Sequence, residues 1–334
     1  MRLISSILTI ISCFSIYVSY NVYFSHKIQR ELLQDFNSGN YRESTTSRFG
    51  ALNSDLPNLT VTSIPIKHLL SRYYFLGGDF EKALELIDQG FKANPYLQLG
   101  NVLKSEYYEK LEVLDSMLYY GNLAFDNSPR NIRHFMAKMK AVSFNDDYKE
   151  LINSYEKVKD FNDKKFPLIF LSTLLTFEKI PDSIKTYVDK ITSPYLNDQD
   201  VRVARDIVYY GTENVTKSIE YTDKADQFFR NGNLEESLLN YLEASRYNPG
   251  AYTNYENIGL IYNSQKKYRK SIKHLKFVID SLNRPSPING KSELILGDSY
   301  INLNLKDSAC YYLNLSKSFN NKMAFNLYAK NCIN

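Results

Sequence analysis

Four histidines, three cysteines and scattered carboxylates set the limits of the chemistry this 334-residue chain could carry. His26, His68, His134 and His274 stand apart from one another. None has a carboxylate, a cysteine or a second histidine at the spacing that would put two ligands on one helical face. They read as surface or groove side chains. Glu81 with Glu85, and Glu235 with Glu236, are carboxylate pairs on exposed helix faces, where hydration accounts for them. Gly77-Gly78 reads as a hairpin turn, not a phosphate-cradling loop, and no serine has a nucleophile-elbow context or a histidine partner. The sequence predicts no catalytic residue, no metal and no cofactor.

Cys13 lies in an apolar run, so at most one bridge, Cys310 to Cys332, is open to a soluble domain. A fold of this length does not need one, and both are expected as buried thiols. The most polarised stretch is Lys266-Lys267-Tyr268-Arg269-Lys270, continued by Lys273, His274 and Lys276. It reads as the solvated outer face of one hairpin, with an anionic contact (lipid headgroups, an acidic peptide or a polyanion) as the alternative. With a net charge of only +4 and no interleaved base-stacking aromatics, nucleic acid is not expected as a partner.

The elements that would position these groups are helices. Apolar residues make up 43% and charged residues 23%, the proportions of a folded protein. Glycine (13) and proline (10) are too few for the tight turns of an all-β chain this long. The 28 tyrosines and 19 phenylalanines are expected as filler between helices. From Leu3 to Phe24 there is no charge, a run long enough to cross a hydrocarbon core of roughly 30 Å. It continues past the length of a cleavable signal and lacks a small-residue cleavage site, which favours an uncleaved anchor. Ile10-Ile11-Ser12-Cys13 resembles a lipobox, although the residues after Cys13 stay apolar. Lys27 and Arg30 after the span favour a cytoplasmic C-terminus, whereas a very short tail ahead of a signal-anchor favours the opposite. The expectation is a single-pass membrane protein with its C-terminal domain on the extracytoplasmic, periplasmic side.

An internal repeat runs through the remainder. Leu70 to Ala83, followed by Ile87, Gly90 and Pro95, sets apolar, small, aromatic and turn residues at fixed offsets. The order returns in Ala225, Phe228, Gly232, Leu234, Ser237, Tyr241, Ala244 and Pro249. Further copies hold Tyr255, Ile258, Gly259, Tyr262, Tyr268, Ser271 and Val278, then Leu296, Gly297, Tyr300, Ala309 and Leu313. Antiparallel helices need small residues where their backbones cross, aromatics in the gaps, and a left-handed residue to end the first helix. Weaker copies lie at Ser105 to Pro129 and Met139 to Tyr155, and weaker still at Ser25 to Pro57 and Phe166 to Tyr210, where helices are expected but the motif is degraded. Asn-Pro at 94–95 and 248–249 reads as helix termination, and the Asp-Ser pairs at 115–116, 182–183 and 307–308 as N-caps. The repeat slips between about Pro194 and Thr216, Ser286 to Asn289 reads as an insertion, and Lys322 to Cys332 as a capping helix.

These residues resemble the tetratricopeptide repeat (TPR) family, whose period is about 34 residues. Gly78, Glu112 and Asp146 keep that spacing, as do Gly232 and Lys266. Composition rich in Lys, Asn, Ile and Tyr suits an AT-rich genome, so the resemblance is to a membrane-anchored bacterial type. It implies an all-α fold, a TPR-like α-solenoid in which antiparallel helix pairs wind into a right-handed superhelix behind an N-terminal transmembrane helix. The expected division is an anchor at 1–24, an N-terminal helical-repeat array at 25–196, and a C-terminal TPR array with a capping helix at 197–334. The first helices would line a concave groove for a peptide or partner helix. On the best-defined repeats its candidates are Thr222, Asp226, Phe229, Glu256, Leu260, Asn263, Leu294, Asp298 and Ile301. Asn257 and Lys291 also match the pattern by which some TPR domains clamp a free carboxylate, but Thr222, Asp226 and Ile295 do not, so a clamp is not supported.

The function these features predict is a non-catalytic, membrane-tethered adaptor in a bacterial envelope, with a protein or peptide partner. An accessory to envelope polysaccharide or lipoprotein assembly is one alternative, and an enzyme with an inter-repeat site near the seam is another.

Overall fold

In a computed structural model the chain is described at residues 2–41, 55, 57–282 and 290–333. Among the described residues there are seventeen α-helices and no β-strand. By compactness the chain divides into residues 1–161 and 162–334, while the sequence division at 24/25 and 196/197 followed apolarity and motif quality. The 286–289 insertion lies outside the described residues, as does most of the 25–57 copy beyond Tyr41.

The first unit opens with α1 (Arg2–Ser38), a continuous helix about 55 Å long at 1.5 Å per residue. Its first two-thirds is apolar, exposed, and long enough to cross a membrane. The final turns are different. Ile28 and Leu32 are buried against Ile66, Leu69, Leu70 and Tyr73, and the Tyr73 hydroxyl donates to buried Asp35 at 2.8 Å. The apolar segment therefore runs straight into the core of the first unit within one helix.

Three hairpins follow: α2 (Ile66–Leu76) with α3 (Phe80–Ala93), α4 (Leu99–Lys110) with α5 (Leu114–Asn127), and α6 (Ile132–Ser143) with α7 (Tyr148–Glu156). The second unit begins with α8 (Lys165–Leu174), α9 (Asp182–Thr192) and α10 (Gln199–Tyr210). It continues as α11 (Thr212–Arg230) with α12 (Leu234–Tyr247), α13 (Tyr252–Ser264) with α14 (Tyr268–Ser281), and α15 (Lys291–Asn302) with α16 (Lys306–Ser318). The last described helix, α17 (Lys322–Cys332), has the bounds expected of it.

The hairpins form for the reasons their sequence suggests. Each first helix ends on a left-handed residue: Gly78, Glu112 and Asp146 in the first unit, Gly232, Lys266 and Asn304 in the second. Only two of these six are glycine; the others hold φ between 47° and 60°. Where helices cross, small residues let backbones approach and serines satisfy carbonyls. Ser237 donates to the Ala225 carbonyl at 2.9 Å, and Ser271 to that of Gly259 at 2.7 Å. A Cβ on Gly259 would lie 2.5 Å from Leu275, and one on Gly297 2.6 Å from Leu313. Asn94 and Asn248 stand at helix C-caps as expected. Architecture and repeat length are those of a TPR-like array.

Three expectations need correction. The Asp-Ser pairs do not cap α5, α9 or α16, because each helix starts one or two residues earlier than the serine and leaves both residues inside its first turn. Side-chain caps come instead from Asp79, Asn131, Asp147, Asp198 and Asn321. Cys310 and Cys332 are bonded to each other, since α16 and α17 pack antiparallel and bring their Cα atoms to 5.6 Å. His68 and His134 are not surface residues. Each is buried, and His68 has no exposed surface at all.

His68 fills the crossing of α2, α3 and α4. Cβ atoms built on Gly90 and Gly100 would fall 2.2 and 2.9 Å from its ring. Its Nε2 lies 3.0 Å from the Ile87 carbonyl, and Nδ1 has no hydrogen-bond partner. Burial, only partly countered by the Ile87 carbonyl, lowers its pKa to about 4.

Candidate functional site

A first helix meets its own second helix on one side and the next hairpin on the other, so a third face is left uncovered. In both units these uncovered faces form hollows. The first-unit hollow, of about 650 Å³, is lined almost wholly by α2, α4 and α6. Phe75, Leu76, Phe80, Val102 and Met136 make its apolar wall, and Leu76 and Met136 remain more than half exposed. Arg72 donates to Glu106 at 2.6 Å and Lys140 pairs with Glu109 at 2.6 Å. Lys110 and Arg133 add two more cations. Burial works against the Arg72 charge, but Glu106, Tyr107 and Tyr41 outweigh it and hold its pKa above the usual value.

None of these residues was anticipated as groove lining. A signal for them exists: Arg72, Glu106 and Lys140 recur at the repeat interval, one on each first helix. Polar residues keeping that interval between conserved-in-type core positions are what a groove lining looks like in a stacked array.

In the second unit the sequence candidates fall into two groups and some remainders. Thr222 and Asp226 border a polar hollow of about 330 Å³ between α10, α11 and the start of α13. Thr222 donates to Asn254 at 2.9 Å, and Asp226 accepts from the Tyr241 hydroxyl. Burial and then this hydrogen bond push the Tyr241 pKa up, so it stays a donor. Asp206, whose pKa is raised by burial, accepts from Asn248 at 2.8 Å on the wall of the same hollow.

Leu260, Asn263, Leu294 and Asp298 come together in a hollow of about 440 Å³, with Ile295 and with Met323, Asn326 and Leu327 of α17. The contribution of α17 was not anticipated, because a capping helix read from sequence has no assigned partner face. Lys291 donates to Asn257 at 2.8 Å, and Asn263 to Ser299 at 2.8 Å. Glu256 is buried and accepts from Ser292, which makes it part of the packing between α13 and α15. Exposed Phe229 and half-buried Ile301 line none of the three hollows.

Among the described residues no group of three or more His, Cys, Asp or Glu side chains is placed to hold a metal. His274 is packed between Tyr255 and Tyr262, and Lys270 lies over the Tyr262 ring, so part of the basic stretch is engaged in packing α14 on α13.

No family model and no curated protein matches the chain. Solved structures similar to it include TPR proteins. One from Parabacteroides merdae is 14% identical over 78% of this chain and 96% of its own, with a TM-score of 0.35. The TPR domain of P58(IPK) is 12% identical over 92% and 96%, with a TM-score of 0.41. YrrB, described as a TPR protein with an unusual peptide-binding site, is 15% identical over 66% and 97%, with a TM-score of 0.28.

Proposed function

We propose that this chain is a membrane-tethered scaffold whose first-helix faces hold segments of partner proteins. The observation that carries the proposal is the pair of hollows in which apolar side chains on successive first helices stay exposed (Leu76, Met136) or only half-buried (Leu260, Leu294) beside charged and amide groups. An uncovered apolar strip on a folded array is a surface made for another chain. The mixed charge of the first-unit hollow, cations beside Glu106 and Glu109, suits a protein segment better than a nucleic acid.

Tethering is supported by α1, which offers an apolar stretch of spanning length and then enters the core of the first unit without a break. Such a continuous helix would hold the first hairpins close to the bilayer surface and restrict their orientation. The Cys310–Cys332 bond supports an extracytoplasmic placement, because disulfides persist in oxidising compartments and are rare where thiols are kept reduced.

Purification from detergent tests the scaffold. A stoichiometric protein partner should accompany the wild type and be lost on Leu294→Lys or Met136→Lys; a clean monomer contradicts the proposal. Protease digestion of intact and opened cells tests the side: residues after α1 should be cut in intact spheroplasts.

A further inference from the structure

The terminal hollow of the second unit has one wall unlike the others. Leu260, Leu294 and Ile295 come from α13 and α15, which are fixed on both sides by neighbouring helices. Met323 and Leu327 come from α17, which packs chiefly on α16 with a lesser contact to α15, and has no hairpin partner of its own among the described residues. A helix packed chiefly on one neighbour opens locally more readily than one held on both sides. At its start α17 is tied by the Asn321 cap and buried Ala324, and in its middle by Lys317, whose ammonium lies 3.8 Å from the Tyr328 ring centroid. At its last residue the tie is Cys332 to Cys310. That bond holds the final turns, and with them Leu327, against the hollow.

The charge of the hollow is equally specific. Among the described residues Asp298 is its only ionisable lining group. Half-buried among leucines, it has no lysine or arginine paired with it among the described residues. A carboxylate in an apolar rim favours a cation brought by the ligand, since a charge-assisted contact there is poorly screened.

We propose that this hollow is a terminal anchor pocket for a protein segment that carries a Leu-, Met- or Phe-sized side chain within one helical turn of a lysine or arginine, and that the Cys310–Cys332 staple is what makes the pocket binding-competent. The apolar side chain enters between Leu260, Leu294 and Leu327, and the cation meets Asp298. This rests on the scaffold reading above and adds the ligand chemistry and the condition for binding.

The test uses the full chain in nanodiscs, random 12-residue peptides displayed on phage, and fluorescein-labelled synthetic copies of those enriched. Enriched peptides are expected to pair a large apolar residue with Lys or Arg three or four positions away. Asp298→Asn should weaken their binding about tenfold, the scale of one charge-assisted hydrogen bond, and should remove most of its salt dependence. Leu327→Ser should weaken it by about tenfold or more. Dithiothreitol, and separately Cys332→Ser, should weaken it severalfold while the helical circular dichroism stays close to that of the wild type.

Peptides that are enriched but bind equally to Asp298→Asn and Leu327→Ser overturn this inference and leave the scaffold reading standing. Enriched peptides that are acidic or uniformly polar do the same. If no peptide is enriched at all, both fall. If the pocket is occupied by a second copy of the chain, light scattering shows a dimer that Leu327→Ser dissociates, and the inference is overturned.

Discussion

In the first unit the hollow between α2, α4 and α6 is bordered by Arg72, Lys110, Arg133 and Lys140 against Glu106 and Glu109. In the second, the hollow between α13, α15 and α17 has Asp298 as its only ionisable lining residue among those described. Both are built on the same repeated hairpin, yet one has an excess of cations and the other a single carboxylate. Their cores differ as well. At the helix crossings of the second unit Leu275 of a second helix lies on Gly259 of its first helix and Leu313 on Gly297, whereas in the first unit a histidine on a first helix, His68, packs against Gly90 of the second helix and Gly100 of the next hairpin. The repeat constrains buried size and turn geometry; it leaves surface charge, and even the polarity of one core residue, free to differ between arrays.

Acid should separate the two units most. With its pKa lowered from 6.5 to about 4, His68 contributes stability that is present above the unfolded value and lost as pH falls through the folded one. The full loss is about 3 kcal/mol at 1.36 kcal/mol per unit. His134, also lowered by burial, acts in the same direction in the same unit. In the second unit half-buried His274 has that sign too, but Asp206 has the other: its raised pKa means that protonation favours the folded state. Hydrogen exchange followed from pH 7 to pH 4 should show α2–α4 losing protection before α11–α13. His68→Phe should remove much of the difference. Equal loss in the two units would erase this contrast.

Reduction should act on the opposite end. Loss of the Cys310–Cys332 bond, which closes a span of 22 residues, should cost about 3 kcal/mol locally. Exchange should rise in α17 on adding dithiothreitol while α2–α7 stay unchanged. A uniform response would mean that α17 is not held separately.

The crossings can be compared directly by adding one methyl group. Gly90→Ala drives a Cβ to 2.2 Å from the rigid, hydrogen-bonded His68 ring, and Gly259→Ala to 2.5 Å from the more adaptable Leu275 side chain. Urea unfolding should show losses of about 2–3 kcal/mol and about 1–2 kcal/mol, respectively. The reverse order would sharpen the account differently, by making the His68 site the softer of the two. The smallest effect belongs to the turns. Lys266→Gly removes a left-handed non-glycine residue and should gain about 1 kcal/mol in the second unit, read as a higher midpoint in the same titration.

Much of the fold was legible in the sequence because turn and crossing positions are confined to few residue types. Gly78, Glu112 and Asp146 share a spacing, and all three adopt positive φ although only the first is glycine. Asn94, Asn248 and the bounds of α17 were readable from local chemistry. His68 was not, because nothing in its neighbourhood says that the residue facing it across the crossing is Gly90. The disulfide was not, because Cys310 and Cys332 meet only once α17 folds back on α16. Of the candidate site, Leu260, Asn263, Leu294 and Asp298 do gather in one place, while Glu256 and Lys291 face packing partners set by the neighbouring helix. The first-unit hollow was illegible for a different reason: two of its three repeats are weaker in motif, although the Arg72, Glu106, Lys140 interval carried the information.

Photo-crosslinking in living cells tests the central claim most directly. A benzophenone amino acid placed at Met136 or Leu294, in the two hollows, is compared with the same residue at exposed Tyr119 or Tyr311 on second helices. Discrete protein adducts from Met136 and Leu294, and none from Tyr119 or Tyr311, are the predicted result. Adducts that arise equally from all four positions, or from the second-helix positions alone, would contradict the assignment of binding to the first-helix faces.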